Sequence, residues 1–388
     1  MRKRRPDGGV RLTLYSPASR GGAGWYVASL AQALADAGAD VHLIAPRLVP
    51  EEREPAGATL SRHVLIAGKG GLAPLPVKVA RTAWRIGSTF PALFGGRRRS
   101  REILVTMFDW LPVLVAQMLW IRLLGGRLTF VVHDATPHAY ALPRRLRRVE
   151  EALLRLSYRL PHRIVSMTET LREELAEVYG RSVRSTVIPL GAFDDGVPGE
   201  MPGNGTVLVF GMLRRNKRIL ESIDAMRLVT EELPGVRMVI AGAPHAEDPG
   251  YWRECEAALA GLEDVIRTEI GFVPEERLRE LLAESDAMLL PYEDFNSQSA
   301  VAVLAAFSER VVVATEAGGI AELVRAGMPT VPIARPPTVA AIADALRAFA
   351  ALPVDERRRM GREARAALVD HLSWERIGGA FVELIAER

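Results

Sequence analysis

Residues 291–322 read PYEDFNSQSAVAVLAAFSERVVVATEAGGIAE, and this stretch decides the fold class. The apolar run 287–291 predicts a buried strand, residues 300–307 predict a helix, and residues 310–315 predict a second strand rich in β-branched side chains. The polar loop 293–299 lies between the first strand and the helix. Such a loop presents the unpaired N–H groups of a helix N-terminus, which attract phosphate. The pattern predicts a βαβ unit with a phosphate site or, equally, an ordinary βαβ unit without a ligand.

The same alternation of apolar strands and helices runs through the rest of the chain. It predicts an α/β protein with parallel, doubly wound sheets. A segment rich in Gly, Pro and acidic residues, 194–205, reads as a linker between two halves, whose strand ends would supply loops to a cleft. The first half contains predicted strands 11–16, 41–45, 128–132, 163–166 and 186–189, with a helix at 25–37. The second contains predicted strands 206–210, 237–241, 265–270 and 287–291, with helices at 218–233, 251–262 and 275–284.

Composition narrows the classes of protein to which the chain can belong. Its 388 residues exceed one ordinary core, so we expect at least two domains. A net charge of only +3, without a zinc-finger or RNP pattern, argues against a nucleic-acid partner. The single cysteine, Cys255, fits a reducing compartment such as the cytoplasm. The apolar stretch 110–124 contains Pro112 and Arg122 and is too short to span a bilayer, so it predicts a buried helix.

Three motifs in this order carry a resemblance to a known family. The first is the glycine turn GGAG at 21–24, which follows the first predicted strand. The second is FGMLRRNK at 210–217, and the third is the stretch 291–322. Together they resemble the retaining glycosyltransferases of family 4. The resemblance implies the GT-B fold, an α/β fold of two facing Rossmann-like domains with parallel sheets and an interdomain cleft.

The resemblance also implies a division of labour along the chain. Residues 1–193 would form the N-terminal acceptor-binding domain, and residues 206–372 the C-terminal nucleotide-sugar-binding domain. Residues 373–388 would form a final helix that packs back on the N-terminal domain, with SWE at 373–375 as the crossing point. The apolar stripe expected to pack there consists of Ile377, Phe381, Leu384 and Ile385.

The chain departs from the usual family pattern at the sugar-nucleotide loop. Asn296 and Leu304 occupy the two positions where the family places a pair of glutamates. The sequence QSAV at 298–301 is similar to the loop sequence QSGV of one branch of the family, and that branch also lacks the glutamate pair. That branch often carries HDxxPH, and residues 133–138 read HDATPH. Met212 stands where many members carry arginine.

The candidate catalytic residues are His133, Lys217 and Arg214. Lys217 would place a point charge on the donor diphosphate, although it also lies in a basic cluster that could simply be solvated. His133 follows a predicted strand and would face the cleft; the alternative is a hydrogen-bonded structural histidine. The side chains of Gln298 and Ser299 would hydrogen-bond phosphate or sugar, or only cap the helix. The backbone N–H groups of Ser299 and Ala300 are stronger candidates for binding than these side chains. The candidate substrate-binding residues are Gly22, Ala23, His138, Gly211, Phe272, Asn296, Ser297, Gln298, Ser299 and Ala300.

A basic and aromatic segment suggests a further partner. Residues 76–101 read PVKVARTAWRIGSTFPALFGGRRRSR, and residues 144–148 read RRLRR. Interleaved cations and aromatic side chains suit an anionic membrane surface. An ordinary amphipathic surface helix explains the pattern equally well.

The sequence and the resemblance together predict a cytoplasmic hexosyltransferase, and the resemblance implies retention of anomeric configuration and no bound metal. A peripheral position at the inner face of the plasma membrane stays one of the two readings of the basic segment. The enzyme would move a sugar from a nucleotide-sugar donor to a glycan or lipid-linked acceptor in bacterial-type polysaccharide or glycoconjugate synthesis. The donor is a substrate, so no cofactor is expected. Two alternatives remain open: a sugar-nucleotide epimerase of the same fold, and a non-catalytic subunit that binds sugar nucleotides.

Overall fold

The computed structural model falls into two compact units. Unit 1 comprises Met1–Gly191 together with Ser373–Arg388, and unit 2 comprises Ala192–Leu372. The chain therefore passes between the units twice. The residues that the structure describes are 9–18, 21–47, 54–57, 59–65, 75–107, 110–135, 146–180, 183–192, 196–245, 248–293 and 295–387.

Unit 1 is built on a parallel sheet with the strand order β3-β2-β1-β4-β5-β6-β7 in its described part. The strands are β1 Arg11–Tyr15, β2 Asp40–Pro46, β3 Leu60–Leu65, β4 Glu102–Val105, β5 Arg127–Val132, β6 Arg163–Ser166 and β7 Ser185–Val187. The helices are α1 Gly21–Asp36, α2 Leu75–Arg99, α3 Leu111–Leu123, α4 Arg147–Arg159, α5 Glu169–Tyr179 and α13 Trp374–Ala386.

Two of these strands were missed by the sequence analysis. The sequence of β3, LSRHVL, mixes polar and apolar residues because β3 forms an edge of the sheet and is largely half-buried or exposed. The other, β4, has only four residues and directly follows a basic helix. Short or edge strands of this kind carry little of the continuous apolar signal that marks a buried parallel strand.

The predicted glycine turn at 21–24 is wrong, because these residues form the first turn of α1. Gly21 has φ 58°, a value that glycine adopts without steric cost, and Gly24 is buried. The first N–H groups of a helix have no partner within it, so small residues fit this position. The helix therefore begins four residues earlier than expected.

The prediction that residues 110–124 form a buried helix holds for one face of the helix only. In α3, Met118 and Ile121 are buried, whereas Leu119 is 41% and Leu123 81% exposed. An α-helix that packs on one face leaves the opposite face in solvent, even where that face is apolar. Among the helices that the structure describes, none is both long and apolar enough to cross a membrane.

The last helix, α13, packs closely on α1 inside unit 1. A Cβ atom on Gly378 would lie 2.4 Å from the carbonyl oxygen of Ala33, so the two backbones approach as closely as glycine allows. Ile377 and Phe381 are 1% and 0% exposed and Ile385 is buried, whereas Leu384 is half-buried, so most of the apolar stripe of α13 is covered. Burial of such side chains contributes roughly 1.5–3 kcal/mol each.

Unit 2 contains a parallel sheet whose described strand order is β10-β9-β8-β11-β12-β13. The strands are β8 Thr206–Phe210, β9 Arg237–Gly242, β10 Ile266–Ile270, β11 Ala287–Leu290, β12 Val311–Thr315 and β13 Val331–Ile333. The helices are α6 Ile219–Val229, α7 Pro249–Ala258, α8 Glu275–Glu284, α9 Ala300–Phe307, α10 Gly318–Arg325, α11 Val339–Ala351 and α12 Val354–Val369.

The segment that reads as a linker is fixed to unit 2 over the part that the structure describes, 196–205. Both carboxylate oxygens of the buried Asp286 accept hydrogen bonds from backbone N–H groups, those of Gly203 and Gly205, each at 2.7 Å. The Arg357 guanidinium donates to the same carboxylate at 3.1 Å. A carboxylate satisfied in this way holds the chain in place just before β8 begins.

Candidate functional site

Three neighbouring strands of unit 2 send their carboxyl ends to the same edge of the sheet. Strand β8 is followed by the segment 211–218, β11 by the loop 291–299, and β12 by the start of α10. Because β8, β11 and β12 are adjacent in the sheet, the loops that follow them meet. In open parallel sheets this edge is where ligands bind.

Lys217 folds back over the start of its own loop. Its Nζ donates a hydrogen bond to the carbonyl oxygen of Phe210 at 3.0 Å and lies 5.4 Å from the centre of the Tyr292 ring. A Cβ atom on Gly211 would stand 2.9 Å from this Nζ, and Gly211 has φ 99°. The backbone conformation favours glycine at 211, whereas the lysine Nζ, at the end of a flexible side chain, could move aside for a Cβ atom.

Burial shifts the charge equilibrium of Lys217. Removal from water, with a smaller effect from the nearby Arg214 guanidinium, lowers the pKa of the Lys217 ammonium group to about 7. A lysine of this kind is charged only in part at neutral pH. An anion placed beside it would favour the charged form and raise the pKa again.

The surrounding cations divide into two classes. Arg215 binds Asp248 at 2.7 Å and Glu254 at 2.6 Å, and Arg218 pairs with Glu221 and Glu293. Lys217 and Arg214 form no ion pair with any carboxylate in the described part of the chain; Arg214 donates to the sulfur of Met212 at 3.4 Å. Two of the four cations are thus available to an anionic ligand.

The first turn of α9 lies beside Lys217. Ser299 caps this helix, since its hydroxyl accepts the Ala302 N–H at 3.1 Å, and Ser299 and Gln298 are both buried. A Cβ atom on Gly211 would be 3.8 Å from a methyl carbon of Val301, which joins the two loops. The expectation that the side chain of Ser299 caps the helix is consistent with this geometry, and Ala300 is the first residue of the helix.

Two glycines of α10 support the loop 291–299 from below. A Cβ atom would lie 1.9 Å from the carbonyl oxygen of Phe295 if placed on Gly318, and 2.2 Å from that of Ser297 if placed on Gly319. The loop can reach this position only because both residues lack a side chain. Asn296 is exposed at the tip of the loop, and Leu304, the other position of the missing glutamate pair, is half-buried in α9.

Phe272 stands apart from this group. It follows β10, the edge strand of the sheet, with β9 between β10 and β8. Its side chain is 77% exposed. No described contact connects Phe272 to Lys217 or to the loop 291–299.

In unit 1, His133 directly follows β5. Its Nε2 lies 2.9 Å from the carbonyl oxygen of Thr106, which follows β4. Because a carbonyl only accepts, Nε2 carries the proton in the neutral imidazole. Burial lowers the pKa of His133 to about 4, although the Asp134 carboxylate opposes the shift, so the ring is neutral at physiological pH. The edge of the Tyr26 ring packs against the imidazole at 5.3 Å between centroids.

The other candidates of unit 1 are Gly22, which is exposed, Ala23, which is half-buried, and His138. Gly22 is exposed and Ala23 half-buried in the first turn of α1, and a Cβ atom on Gly22 would meet nothing within 4 Å. His138 lies outside the described residues. Groups of three or more His, Cys, Asp or Glu side chains suited to a metal ion are absent from the ranges described above.

Sequence reasoning missed three side chains that shape these sites. They are Tyr292, Glu293 and Tyr26. Tyr292 and Glu293 follow β11 at the predicted end of a strand, so their position was a usable signal. Glu293 also fixes the loop, since its N–H donates to the carbonyl oxygen of Asn216 at 2.9 Å. Nothing in the sequence indicated that Tyr26, within α1, would meet His133.

Family models match both halves of the chain. Residues 20–193 match the model described as Glycosyltransferase Family 4, and residues 204–351 match the model described as Glycosyl transferases group 1. The glycogen synthase of Mycobacterium tuberculosis is 26% identical over 95% of this chain and 92% of its own length. A lipopolysaccharide 1,2-N-acetylglucosaminetransferase of Salmonella typhimurium is 24% identical over 46% of this chain and 48% of its own.

Solved structures with the same architecture cover the chain almost completely. Anabaena Alr3699/HepE, crystallised with UDP and glucose, gives a TM-score of 0.73 at 16% identity and covers 98% of this chain and 100% of that one. A sucrose-phosphate synthase from Thermosynechococcus elongatus gives 0.70 at 18% identity, covering 97% and 98%. The two parallel sheets thus match GT-B glycosyltransferase structures, and the chain belongs to the family 4/group 1 nucleotide-sugar glycosyltransferases.

Proposed function

We propose that this protein is a retaining glycosyltransferase that transfers a hexose from a UDP-sugar to a glycan or lipid-linked acceptor. The observation that carries the proposal is the pair Lys217 and Arg214. Both cations stand at the carboxyl edge of the unit 2 sheet without a described carboxylate partner, whereas their neighbours Arg215 and Arg218 are paired. Half-buried cations without a carboxylate partner, beside cations that have one, can bind an anionic ligand.

In this proposal unit 2 holds the donor diphosphate. Lys217 and Arg214 each supply a charge-assisted hydrogen bond, and the N–H groups at the start of α9 add the positive end of a helix dipole. These donors lie where negative charge develops as the sugar–phosphate bond breaks, so they stabilise the departing diphosphate. Because Gly211 has no side chain, the Nζ of Lys217 can lie close to its backbone. Asn296, Ser297 and Gln298 offer side-chain groups to the phosphate or sugar.

His133 contributes from unit 1 as a neutral imidazole. Its Nε2–H is directed at the carbonyl oxygen of Thr106, which leaves Nδ1 as the nitrogen that bears a lone pair. Such a nitrogen can accept a hydrogen bond from a hydroxyl group of the acceptor. The residues of unit 1 would in this way bind and orient the acceptor, with Gly22 and Ala23 exposing the start of α1 to it.

The names of the relatives support the choice of substrates. The Anabaena structures contain UDP with glucose and UDP-glucose, which makes UDP-glucose the first donor to test. One curated relative is a glycogen synthase and another acts on lipopolysaccharide. Glycan and lipid-linked acceptors are therefore the two classes that an assay should offer.

Helix α2 supports a peripheral membrane contact, but through other residues than the arginine run. Trp84 is 67% exposed and Val79 60% exposed on the first half of this helix. Within the run 97–99, Arg99 donates to the Ser61 hydroxyl at 3.0 Å and Arg98 stacks on Phe94 at 4.8 Å, so these cations already have contacts. Residues 144–145 lie outside the described residues.

The membrane proposal is tested by sedimentation with anionic vesicles. We expect the native protein to bind vesicles and Trp84→Ser to bind several-fold more weakly, because an exposed indole sits well at a membrane interface. Trp110→Ser is the matched control, since Trp110 is 46% exposed but lies at the start of α3. No sedimentation of the native protein would exclude this partner.

The enzymatic proposal is tested by binding and turnover of the purified protein. We expect UDP and UDP-glucose to raise the unfolding midpoint far more than UMP, because a ligand of the native state stabilises it and only a diphosphate reaches both cations. Equal shifts with UDP and UMP would contradict the assigned site.

The missing glutamate pair favours a second candidate, a non-catalytic subunit that binds sugar nucleotides. Leu304 cannot form the hydrogen bond that a glutamate would offer to the donor. Binding of UDP-glucose without release of UDP, with glycan and lipid-linked acceptors present, would support this alternative. Conversion of the donor to an isomer without an acceptor would instead indicate an epimerase.

A further inference from the structure

Within unit 1, Trp374 at the start of the last helix contacts the Tyr26 ring, and the Tyr26 ring contacts the His133 imidazole. The Tyr26 ring meets the His133 imidazole edge-on, with 5.3 Å between centroids and an angle of 86° between planes. On its other side Tyr26 packs against Trp374, the first residue of α13, at 5.9 Å and 52°. Tyr26 is 2% exposed, so it has little freedom to move independently of either neighbour.

Trp374 is itself tightly held. A Cβ atom on Gly191 would lie 2.4 Å from Cε2 of the indole, so the ring lies directly on the backbone of that glycine. Further along the helix, the contact between Gly378 and Ala33 fixes α13 on α1. The indole position is thus set by the docking of α13 as a whole.

We propose that Tyr26 and Trp374 are positioning residues for His133, and that docking of α13 thereby controls the His133 site. The inference rests on the proposed role of His133. It assigns the C-terminal helix a function in turnover beyond its contribution to the stability of unit 1.

The geometry explains why the imidazole needs this support. The hydrogen bond from Nε2 to Thr106 fixes the position of one atom of the ring. The perpendicular Tyr26 ring fixes the plane of the imidazole, and an edge-to-face pair prefers this angle. Loss of the indole leaves Tyr26 without a neighbour on its far side, so the imidazole plane and the direction of Nδ1 become variable. Small misplacements of a reacting group lower turnover strongly.

The first experiment compares substitutions at the two ends of α13. Trp374→Leu removes the ring, whereas Ile385→Ala truncates a buried side chain eleven residues later, roughly 16 Å along the helix. Both destabilise unit 1, but only the first should affect His133. We expect Trp374→Leu to lower kcat at least tenfold with an unchanged Kd for the donor, and Ile385→Ala to retain kcat at a temperature where both variants are folded.

Two further variants separate ring contact from general damage. Gly191→Ala pushes the indole from the opposite side without altering α13 and should lower kcat in the same way as Trp374→Leu. Trp374→Phe keeps an aromatic ring against Tyr26 and should restore much of the turnover. Equal kcat values in Trp374→Leu and Ile385→Ala would overturn the proposal.

A measurement on the imidazole itself does not depend on activity. The ring proton resonances of His133 lie near the Tyr26 ring and should shift or broaden in Trp374→Leu and Gly191→Ala, but not in Ile385→Ala. Unchanged resonances would contradict the coupling. In a His133→Ala background, Trp374→Leu should have no further effect on kcat, because the two changes act through one group. Wild-type turnover in His133→Ala alone would instead refute the proposed role of His133, which distinguishes the two failures.

Discussion

The Lys217 region of unit 2 and the His133 region of unit 1 each hold an ionisable side chain whose pKa is lowered by burial, but the groups around the two side chains differ. Each ionisable side chain follows the carboxyl end of a parallel strand, and burial lowers the pKa of each, to about 7 for Lys217 and about 4 for His133. Around Lys217 lie the carbonyl oxygen of Phe210, the Tyr292 ring and a second cation, Arg214. Around His133 lie the Tyr26 ring, the carbonyl oxygen of Thr106 and a carboxylate, that of Asp134.

The difference shows how the surroundings of a buried group decide what it can do. Lys217 is close to its titration point, so an arriving anion can restore its charge, which suits a site that binds a diphosphate. The pKa of His133 lies far below its ordinary value, so the ring stays neutral, which suits a group that accepts a hydrogen bond. Substitution of each residue should therefore affect a different kinetic quantity.

The largest effect is expected from His133. His133→Ala should lower kcat roughly 100-fold or more, the usual range for loss of a group that acts in the transition state, with an unchanged donor Kd. His133→Gln retains an N–H donor for Thr106 and should show the same loss without the stability cost. The exposed His63 provides the control, since His63→Ala should keep turnover. A loss confined to donor affinity would remove the contrast with Lys217.

The next effect concerns donor affinity. Lys217→Ala should weaken binding of UDP-glucose roughly 10- to 150-fold, because a charge-assisted hydrogen bond is worth about 1.5–3 kcal/mol. Arg215→Ala is the matched control from the same turn, and since its exposed ion pairs contribute little, affinity should be retained. Calorimetric titration measures both. Similar losses in the two variants would mean that the whole cluster acts as a diffuse positive surface.

The pH dependence of binding tests the titration of Lys217 directly. The folded pKa lies below the ordinary lysine value, so the charge that binds phosphate is fully present below pH 7 and is lost as pH rises through about 7. Affinity for UDP-glucose, whose diphosphate does not titrate here, should fall up to about tenfold per pH unit above that point. Lys217→Arg should flatten the profile because a guanidinium keeps its charge. A flat profile in the native protein would contradict the shift.

The smallest effect concerns the glycines. Gly22→Ala should raise the free energy of unfolding by about 0.5–1 kcal/mol, because Gly22 has open space and lies in a helix. Gly38 has equally open space but φ 89°, so Gly38→Ala should destabilise. Chemical denaturation measures both. A higher KM or a lower activity in Gly22→Ala without loss of stability would show that ligands approach the backbone there.

The sequence predicted most of the fold because parallel strands buried on both faces leave continuous apolar runs. Strands such as 206–210 and helices such as 300–307 were placed to the residue. Edges were harder. Helix α6 begins at Ile219 because a short 3-10 turn precedes it and Arg218 adopts φ 51°, and it ends at Val229, four residues before the predicted end. The presence of an arginine at position 218 does not predict a positive φ.

The candidate site was predictable only where it follows the chain locally. Lys217, Gly211 and Ser299 stand at recognisable positions after strands or before helices. The pairing of Arg215 and Arg218, which leaves Lys217 available, depends on carboxylates up to 75 positions away. The contact between Tyr26 and His133 depends on how α1 packs on the sheet. These pairings and contacts depend on tertiary packing between distant parts of the chain, so a short stretch of sequence does not predict them.

The double passage of the chain has a consequence for biosynthesis. Unit 2 interrupts unit 1, so the ribosome makes all of Ala192–Leu372 before it makes α13. At typical elongation rates that interval is roughly 10–40 s. Throughout it, the face of α1 that receives Gly378 and Phe381 stays uncovered, and Tyr26 lacks its indole neighbour. The nascent N-terminal half thus presents a long-lived apolar surface of the kind that chaperones recognise, while unit 2 already has all of its own strands.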